Sequence, residues 1–299
     1  MEEVILIPHL KIQNSNALSS PFTIGFPALT AWMGAVHTLQ RELNNNNKEN
    51  SISFTGMGIV SHKFDLQTYR GYRDFVHSIV GTANPAMKDG KRPSFIEEAR
   101  CHLEVSLIIE FHGIAKLEQK EALKSLEKIL FQIKIAGGDV IEFQRPKIIN
   151  DFNILKKSLM PGYLLIERRD LMIQAMEEDL DALDSIFDFT CIHHNCILEE
   201  DSTESNYKWE SKRRELEEGV TGWIVPIATG FQGLTSPTLA LNQRDENTPH
   251  LFAESIVTLG EFVMPYKKRF NSLDSMIWKY HFDKDQELYL CQQELVDLF

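Results

Sequence analysis

The spacing of apolar residues switches between two periods along residues 1–145. Strand-like runs cover Val4–Ile12, Ser51–Phe64, Cys101–Phe111 and Val140–Phe143. Between them, apolar residues recur every three or four positions, as in amphipathic helices, over Ala28–Leu43 and Leu117–Ile135. The predicted order of elements is therefore β-α-β-β-α-β.

This order is that of the ferredoxin-like fold, which RNA-recognition domains share. We therefore predict an α+β protein in which residues 1–145 form an antiparallel sheet, with both helices on one face and the other face free. Residues 65–97 interrupt this core with Gly, Pro and basic residues. Because the interruption is too long for a simple connection, it indicates a functional insertion or an arm.

Two further regions follow residue 145. Residues 146–218 are predicted to be largely helical and acidic, with a helix at Leu171–Phe189 and a polar loop at Glu199–Asn206. Residues 219–299 are predicted to pack on the core as a strand-plus-helix region that begins with the strand Gly222–Ile227. The helices predicted there are Leu251–Met264 and Leu273–His281.

The charge of the chain is unevenly distributed. A net charge of −12 argues against a nucleic-acid partner, but residues 177–218 alone hold fourteen acidic and four basic residues, a net charge of −10. Residues 66–96 hold five basic and two acidic residues, a local charge of +3. A basic functional face is therefore compatible with the composition.

The bulk features indicate a cytoplasmic protein. No apolar run approaches the roughly 18–20 residues of a membrane helix, so we expect no membrane partner. The acidic start MEEVILIPHLK does not have the pattern of a signal peptide. The four cysteines are too sparse for a disulfide framework and fit a reducing compartment.

Enzyme and cofactor signals are weak. Cys191–Cys196, "CIHHNC", has four metal-capable side chains, but it lacks a second spaced pair, and four ligands this close do not easily close one tetrahedron. We therefore expect no metal and a helix end near the surface. The glycine pairs Gly137-Gly138 and Gly230/Gly233 match no phosphate-binding or dinucleotide fingerprint, so no cofactor is predicted. Gly137-Gly138 is equally compatible with a plain helix stop.

His37 leaves a catalytic alternative open. The usual pKa of a histidine side chain lies near neutral pH, so a histidine on the first helix suits acid–base cleavage of RNA. A partly buried helix histidine without a catalytic role is the interpretation we favour.

Two segments are suited to RNA contact. Arg70 and Arg73 stand among Tyr69, Tyr72 and Phe75, which combines phosphate-pairing cations with stacking rings. The same residues are compatible with a solvated helix face. The polar loop after the first strand suits sugar, phosphate and base-edge contacts as well as turns and caps, and its composition does not separate the two. Its polar residues are Gln13, Asn14, Asn16, Ser19 and Ser20.

Several longer blocks, in a fixed order, resemble one family over nearly the whole chain. The chain is similar to the small tail subunit of the type I-F CRISPR surveillance (Csy) complex, a Cas-five-type RAMP protein. The blocks are "LIPHLKIQNSNALSSPFTIGFP", "GMGIVSHKF", "EEARCHLEVSLII", "IAGGDVI", "LMPGYLLIERRDL", "GWIVPIATGFQGL" and "LGEFVMPYKKRFNSLDSMIW".

The resemblance implies a non-catalytic subunit that binds the five-prime handle of the guide RNA, in a complex where the RNA reads sequence and the protein positions its backbone. It implies partnership with the large tail subunit and the first backbone subunit, and contact with target DNA through the complex. Phage anti-CRISPR proteins are further expected partners. RNA cleavage in that system belongs to a separate endonuclease, in agreement with our interpretation of His37.

The resemblance also implies which residues contact RNA. It assigns the polar loop to the handle, residues 65–97 to the thumb of RAMP proteins, and the two glycine-rich segments and "NQRDENTP" to further contacts. The predicted RNA-binding residues are Gln13, Asn14, Asn16, Ser19, Ser20, Arg70, Arg73, Lys91, Arg92, Gly137, Gly138, Gly230, Phe231 and Arg244.

Two segments have no counterpart in the family pattern, the asparagine run at 44–47 and Cys191–Cys196. The acidic segment 177–218 would repel RNA, so we expect it to face protein or solvent. Two rival functions remain, a metal-independent RAMP endoribonuclease that uses His37 and a scaffold that contacts only protein.

Overall fold

The computed structural model describes residues 3–46, 51–80, 82–83, 86–91, 95–96, 98–198, 207–214, 223–241, 243, 245–267 and 270–294. The helices in this part of the chain are α1 (Leu29–Asn46), α2 (Gln119–Leu130), α3 (Phe152–Ser158), α4 (Arg169–Glu177), α5 (Ala182–Thr190) and a 3₁₀ helix, Asp274–Met276. None of them has both the length and the apolar character needed to cross a lipid bilayer.

The strands follow the predicted alternation with helices only in the N-terminal half. They are β1 (Val4–Asn16), β2 (Leu18–Ser20), β3 (Thr23–Ile24), β4 (Ser53–Leu66), β5 (Thr68–Tyr69), β6 (Ser78–Ile79), β7 (Thr82–Ala83), β8 (Phe95–Ile96), β9 (Arg100–His112), β10 (Lys134–Ile135), β11 (Gly138–Glu142), β12 (Lys147–Ile149), β13 (Tyr163–Glu167), β14 (His193–Leu198), β15 (Tyr207–Lys212), β16 (Trp223–Gly233), β17 (Ala253–Val263), β18 (Trp278–Asp283) and β19 (Leu288–Gln293).

Four antiparallel strands form the first part of the main sheet, in the order β11-β1-β9-β4. The expected α+β class is confirmed by this sheet and the helices that pack on it. Strand β1 lies in the middle and is apolar at consecutive positions, Val4 to Ile7, all of them buried. A strand buried on both faces requires such a continuous run.

Both faces of this sheet are covered where the apolar run lies. Helices α1 and α2 pack on one face, where Trp32 and Leu130 join the core. On the opposite face, Leu6 and Ile108 pack against Leu155 of α3 and the segment around the 3₁₀ helix. The prediction of a free second face is therefore wrong for this part of the sheet, because alternate residues of β1 are apolar on both sides.

The C-terminal strands return to the first sheet. Strand β4 pairs with β13, and the order continues β13-β17-β16-β19-β18. Strand β18 then pairs with β4 through Trp278 and Met57, which closes a ring of six strands. The sheet therefore takes strands from all three predicted regions.

Several predicted helices are wrong. Ala253–Val263 is the central strand β17, whose residues 258–261 are buried on both faces. Trp278–Asp283 is strand β18, where we predicted the helix Leu273–His281. Apolar and polar residues alternate in β18, which is the period of a strand and not of a helix. Residues 171–189 form two helices, because the chain turns at Asp179, where φ is 63°, and Asp181 caps α5.

Three shorter predictions are also corrected or left open. Helix α2 ends at Leu130, so Gly137-Gly138 does not stop it. Gly137 instead lies in the turn between β10 and β11, and Gly138 begins β11. Cys191 follows α5, as predicted for a helix end, but His193–Leu198 is a strand. The loop Glu199–Asn206 lies outside the described residues.

A buried polar contact joins β13 to β19 within the ring, and its contribution to stability should depend on pH. Glu167 Oε2 accepts the Gln293 N–H at 2.9 Å, and Arg169 lies 3.6 Å from the Glu167 carboxylate. Burial raises the Glu167 pKa from 4.5 to about 7, against the smaller opposing effects of the Gln293 hydrogen bond and of Arg169.

We expect the free energy of unfolding to fall by up to about 3 kcal/mol as pH rises from about 4.5 to about 7. The sign follows because the folded-state pKa lies above the unfolded one, so the contribution is complete below pH 4.5 and is lost as pH rises through 7. Urea unfolding at several pH values measures it. Glu167→Gln should flatten the profile in this window; an unchanged profile in that variant would assign the pH dependence to other groups.

Candidate nucleic-acid interface

The polar loop predicted after the first strand is only partly a loop. Strand β1 continues to Asn16 and so includes Gln13, Asn14 and Asn16, and the residues that follow form a small hairpin, β2–β3. Asn16 Oδ1 accepts the Leu18 N–H at 3.1 Å, and its Nδ2 donates to the Leu18 carbonyl oxygen at 3.0 Å. Ser20 is buried, accepts the Phe22 N–H at 3.1 Å, and shares a hydrogen bond with Thr23. Ser19 also contacts Thr23 Oγ1, at 2.8 Å. The serine hydroxyls therefore brace the hairpin, as side chains of this type do in turns.

The glycine-rich turn between β10 and β11 lies directly against this loop. Ala136 and Gly137 have φ values of 48° and 75°, and the Asn16 N–H donates to the Ala136 carbonyl oxygen at 2.8 Å. Gly138 is buried, and a Cβ there would lie 2.5 Å from Ser15 Oγ and 2.7 Å from the carbonyl oxygen of Gln13. Gly138 therefore serves the close approach of β11 to β1.

The loop, the turn and the start of α1 enclose a cleft of about 520 Å³. Asn16, Ser19 and Gly137, three of the predicted residues, line it together with Glu98 and Arg100. Helix α1 has no acidic residue in its first turn. Since helix N-termini carry partial positive charge, the cleft presents features that suit an anionic group.

Arg100 supplies the cation of the cleft. The register of β1 on β9 places it opposite Asn16. Its Nη2 donates to Glu98 Oε2 at 2.5 Å, and its Nη1 lies 3.5 Å from the Asn14 carbonyl oxygen. The nearby Glu98 carboxylate offsets part of the Arg100 charge.

Two further predicted residues lie on β1 and are exposed beside the cleft. Gln13 is exposed, and Asn14 is exposed with φ at 58°, in the left-handed region that asparagine tolerates better than most residues. The Asn14 N–H donates to His102 Nδ1 at 3.1 Å. The side chains of Gln13 and Asn14 are accessible to a ligand.

The relation to known proteins is extensive. A model of the family described as CRISPR-associated protein (Cas_Csy2) matches residues 5–291. The chain belongs to this family. It is 31% identical over 324 residues to the "CRISPR-associated protein Csy2" of Pseudomonas aeruginosa (strain UCBPP-PA14), covering 96% of this chain and 94% of that protein. The expected membership in the type I-F Csy complex is confirmed at the level of a complex component.

Three of the predicted basic residues of this Cas_Csy2 family member lie in the insertion between β4 and β9. Arg70 Nε donates to the Asp74 carbonyl oxygen at 2.7 Å, and Arg73 lies 5.4 Å from the centre of the Tyr72 ring. Lys91 is exposed, 3.3 Å from Asp89. None of the three lines the cleft. Arg92 and Arg244 lie outside the described residues.

Gly230 and Phe231 lie on the closed ring of strands. A Cβ on Gly230 would overlap the carbonyl oxygen of Tyr289. The Phe231 ring is partly exposed and stacks on Tyr289 with ring centres 5.0 Å apart. Neither residue lines the cleft, so the predicted residues divide among the cleft, the insertion and the ring.

The structure also places the residues of the rival readings. His37 is exposed on α1 and does not line the cleft, so the expectation that it is partly buried is wrong. His193 and His194 point to opposite sides of β14, since His194 contacts Ser211 and His193 faces Asp188. Among the described residues, no three His, Cys, Asp or Glu side chains are grouped to hold a metal ion.

Arg100 is the functional candidate that the sequence reasoning missed. It stands in "EEARCHLEV", at the start of a strand and beside two acids. This block is one of those that resemble the family, and the resemblance was the one signal that could have pointed to Arg100. Its place in the cleft depends on pairing with residues far away in the sequence.

Proposed function

We propose that this chain is a non-catalytic RNA-binding subunit that holds the five-prime handle of the guide RNA within the type I-F complex. The observation that carries the proposal is the meeting of Asn16, Ser19, Gly137 and Arg100 in one cleft at the start of α1. A cation, backbone amides and amide side chains are the groups that contact RNA phosphates and sugars.

The strand order supports the fold that the proposal assumes. Strands β1, β4, β9 and β11 are adjacent in the sheet in the order β11-β1-β9-β4. Along the chain, α1 lies between β1 and β4, and α2 lies between β9 and β11. We infer a ferredoxin-like RAMP core from this order. The insertion with β5–β8 occupies the place of its thumb, where Arg70, Arg73 and Lys91 are exposed.

The partners follow from the same proposal. We propose that the chain lies at the tail of the complex, between the large tail subunit and the first backbone subunit, and reaches target DNA through them. Binding by phage anti-CRISPR proteins and a location in the cytoplasm stay predictions.

Arg100→Met is expected to weaken binding of the guide RNA about 10- to 100-fold, because a charge-assisted hydrogen bond to phosphate is lost. The measurement is fluorescence anisotropy with RNA from the chain's own CRISPR repeat. The slope of log affinity against log salt should fall by about 0.7 for the lost phosphate contact. Asn14→Gly, which keeps the left-handed backbone and removes the amide, should weaken binding by a smaller factor.

Arg145→Met is the matched control, since Arg145 is an exposed arginine, 4.0 Å from Glu127, that does not line the cleft. Glu98→Gln/Arg100→Met tests whether the loss comes from the arginine or from the carboxylate that it leaves behind. Equal affinity for Arg100→Met and wild type would contradict the proposal. Cut RNA that disappears with His37→Ala would instead support the endoribonuclease.

A further inference from the structure

Helices α4 and α5 are consecutive in the chain and pack on each other as a helical hairpin. The chain turns between them at Asp179, where φ is 63°. The inner side of the helical hairpin is buried on the ring, where Ala175 of α4 and Phe189 of α5 join Ile224 of β16 and Leu259 of β17. Its outer side faces solvent.

The outer side of the helical hairpin is partly apolar. On α4, Ile173 and Met176 are 50% and 62% exposed, and on α5, Leu183 and Phe187 are 49% and 52% exposed. The members of each pair are three or four residues apart, so they are neighbours on the helix surface. We call these four residues the outer apolar residues. Large apolar side chains grouped on the solvent side of an amphipathic helix mark a surface that another molecule covers.

The same helical hairpin is strongly acidic. Residues 169–190, all of them described, hold seven acidic residues and one basic residue, a net charge of −6. Two of the acids, Glu178 and Asp188, pair with Arg214. Three others are exposed and have no basic partner in the part of the chain that the structure describes: Glu177, Asp179 and Asp184. Carboxylates therefore stand beside the outer apolar residues on both helices.

The basic residues that follow strand β14 do not cancel this charge. The described residues 207–214 carry a net charge of +3, so together with residues 169–190 they leave −3. Lys208 and Lys212 lie 3.9 and 3.0 Å from Glu210 on the same strand. Arg213 stacks on a tryptophan ring of β16. Among these four basic residues, Arg214 is the one that pairs with the helical hairpin.

The charge and the apolar residues together select the occupant. An acidic surface repels RNA phosphates, anionic lipid and a second copy of itself. Apolar residues bordered by carboxylates are complementary to a protein surface whose apolar centre is bordered by lysine and arginine. The family places this chain among the other subunits of the Csy complex, so protein partners are at hand.

We propose that the outer side of the helical hairpin is a docking site for a basic surface of another subunit of the same complex. The outer apolar residues pack on that subunit, and Glu177 and Asp184 pair with lysine or arginine around the contact. The proposal rests on membership in the complex and not on handle binding, so the two fail separately.

Met176→Gln/Phe187→Gln tests the apolar contact by competition during assembly. The variant and the wild-type chain, carrying different tags, are co-expressed with the other subunits and guide RNA. The complex is purified through a tag on another subunit, and the two chains are quantified by mass spectrometry. We expect the variant to be incorporated at least about 10-fold less than wild type. Leu117→Gln/Ile154→Gln is the matched control, since both residues are exposed and apolar but lie outside the helical hairpin, and it should be incorporated as wild type.

A charge-reversed variant, Glu177→Lys/Asp184→Lys, tests the acidic contact. The purified complex is washed with salt between about 0.05 and 0.5 M, and we expect this variant to be released at lower salt than wild type. Glu246→Lys/Asp285→Lys changes the net charge equally at exposed acids elsewhere and should be released as wild type. Circular dichroism and urea unfolding of each isolated variant show that it is folded.

Three outcomes would overturn the proposal. The first is equal incorporation of Met176→Gln/Phe187→Gln and wild type, or an equal loss in the Leu117→Gln/Ile154→Gln control. The second is equal release of both charge-reversed variants. The third is a loss of affinity of the isolated Met176→Gln/Phe187→Gln chain for guide RNA in fluorescence anisotropy, which would make the helical hairpin part of an RNA site. Arg100→Met, by contrast, should lower that RNA affinity and so reports on handle binding alone.

Discussion

Replacing Glu261 with alanine is expected to lower the free energy of unfolding by about 3–5 kcal/mol, the usual cost of leaving a buried charge without its partner. Glu261 is fully buried on β17, and its Oε2 accepts from Arg168 Nη1 at 2.5 Å. Arg168 is 4% exposed and also donates to Asp170, with Nε and Nη2 at 3.0 and 2.8 Å from its oxygens. Without Glu261, the guanidinium stays buried with one carboxylate instead of two.

Urea unfolding at neutral pH measures this loss. Asp170→Asn is the graded control, because its carboxylate is partly exposed and should cost less, about 1 kcal/mol. Arg168→Met/Glu261→Met should recover most of the stability, since apolar residues of similar volume often replace a buried ion pair without loss. If the double variant is as unstable as Glu261→Ala, the pair is needed for more than charge compensation.

Trp278→Ala is also expected to lower the free energy of unfolding by about 3–5 kcal/mol, because it opens a cavity in the core. Trp278 is fully buried at the start of β18, and its Nε1–H donates to the Leu165 carbonyl oxygen at 3.0 Å. It also pairs with Met57 at the point where β18 meets β4. The substitution removes side-chain packing and a hydrogen bond at the closure of the six-stranded ring.

Trp278→Phe separates these two contributions, because it keeps most of the side-chain volume and lacks the Nε1–H donor. We expect a loss of about 1–2 kcal/mol, read from the urea midpoint and slope. Hydrogen exchange should show β18 and β19 opening before β1 and β9 in Trp278→Ala. Uniform loss of protection would mean that the ring and the first sheet unfold as one unit.

The strands and helices of the N-terminal half could be predicted because their signals are local. Strand β1 has a continuous apolar run, and α1 has apolar residues at helical spacing that pack on one face. Strand β17 could not be predicted in the same way. Its two buried faces make its apolar residues nearly continuous, and such a run is compatible with a buried helix until its neighbours β13 and β16 are known.

The candidate site was predictable only in part. The family resemblance pointed to Asn16, Ser19 and Gly137, and the structure brings these three into one cleft. It also shows that Ser20 and Gly138 are occupied by packing within the fold, which residue type alone does not reveal. Arg100 enters the cleft because the register of β9 on β1 places it beside Asn16.

The sequence by itself determined the type and order of the N-terminal elements, the segregation of charge and the family. These depend on the spacing and identity of residues close together in the chain, or on blocks compared directly. Only the tertiary structure decided the closed ring, the covered second face of the sheet, the burial of Arg168 with Glu261, and the partners of the cleft. Pairing register and burial depend on residues far apart in sequence, and the local spacing of apolar residues does not determine which distant strand a residue pairs with.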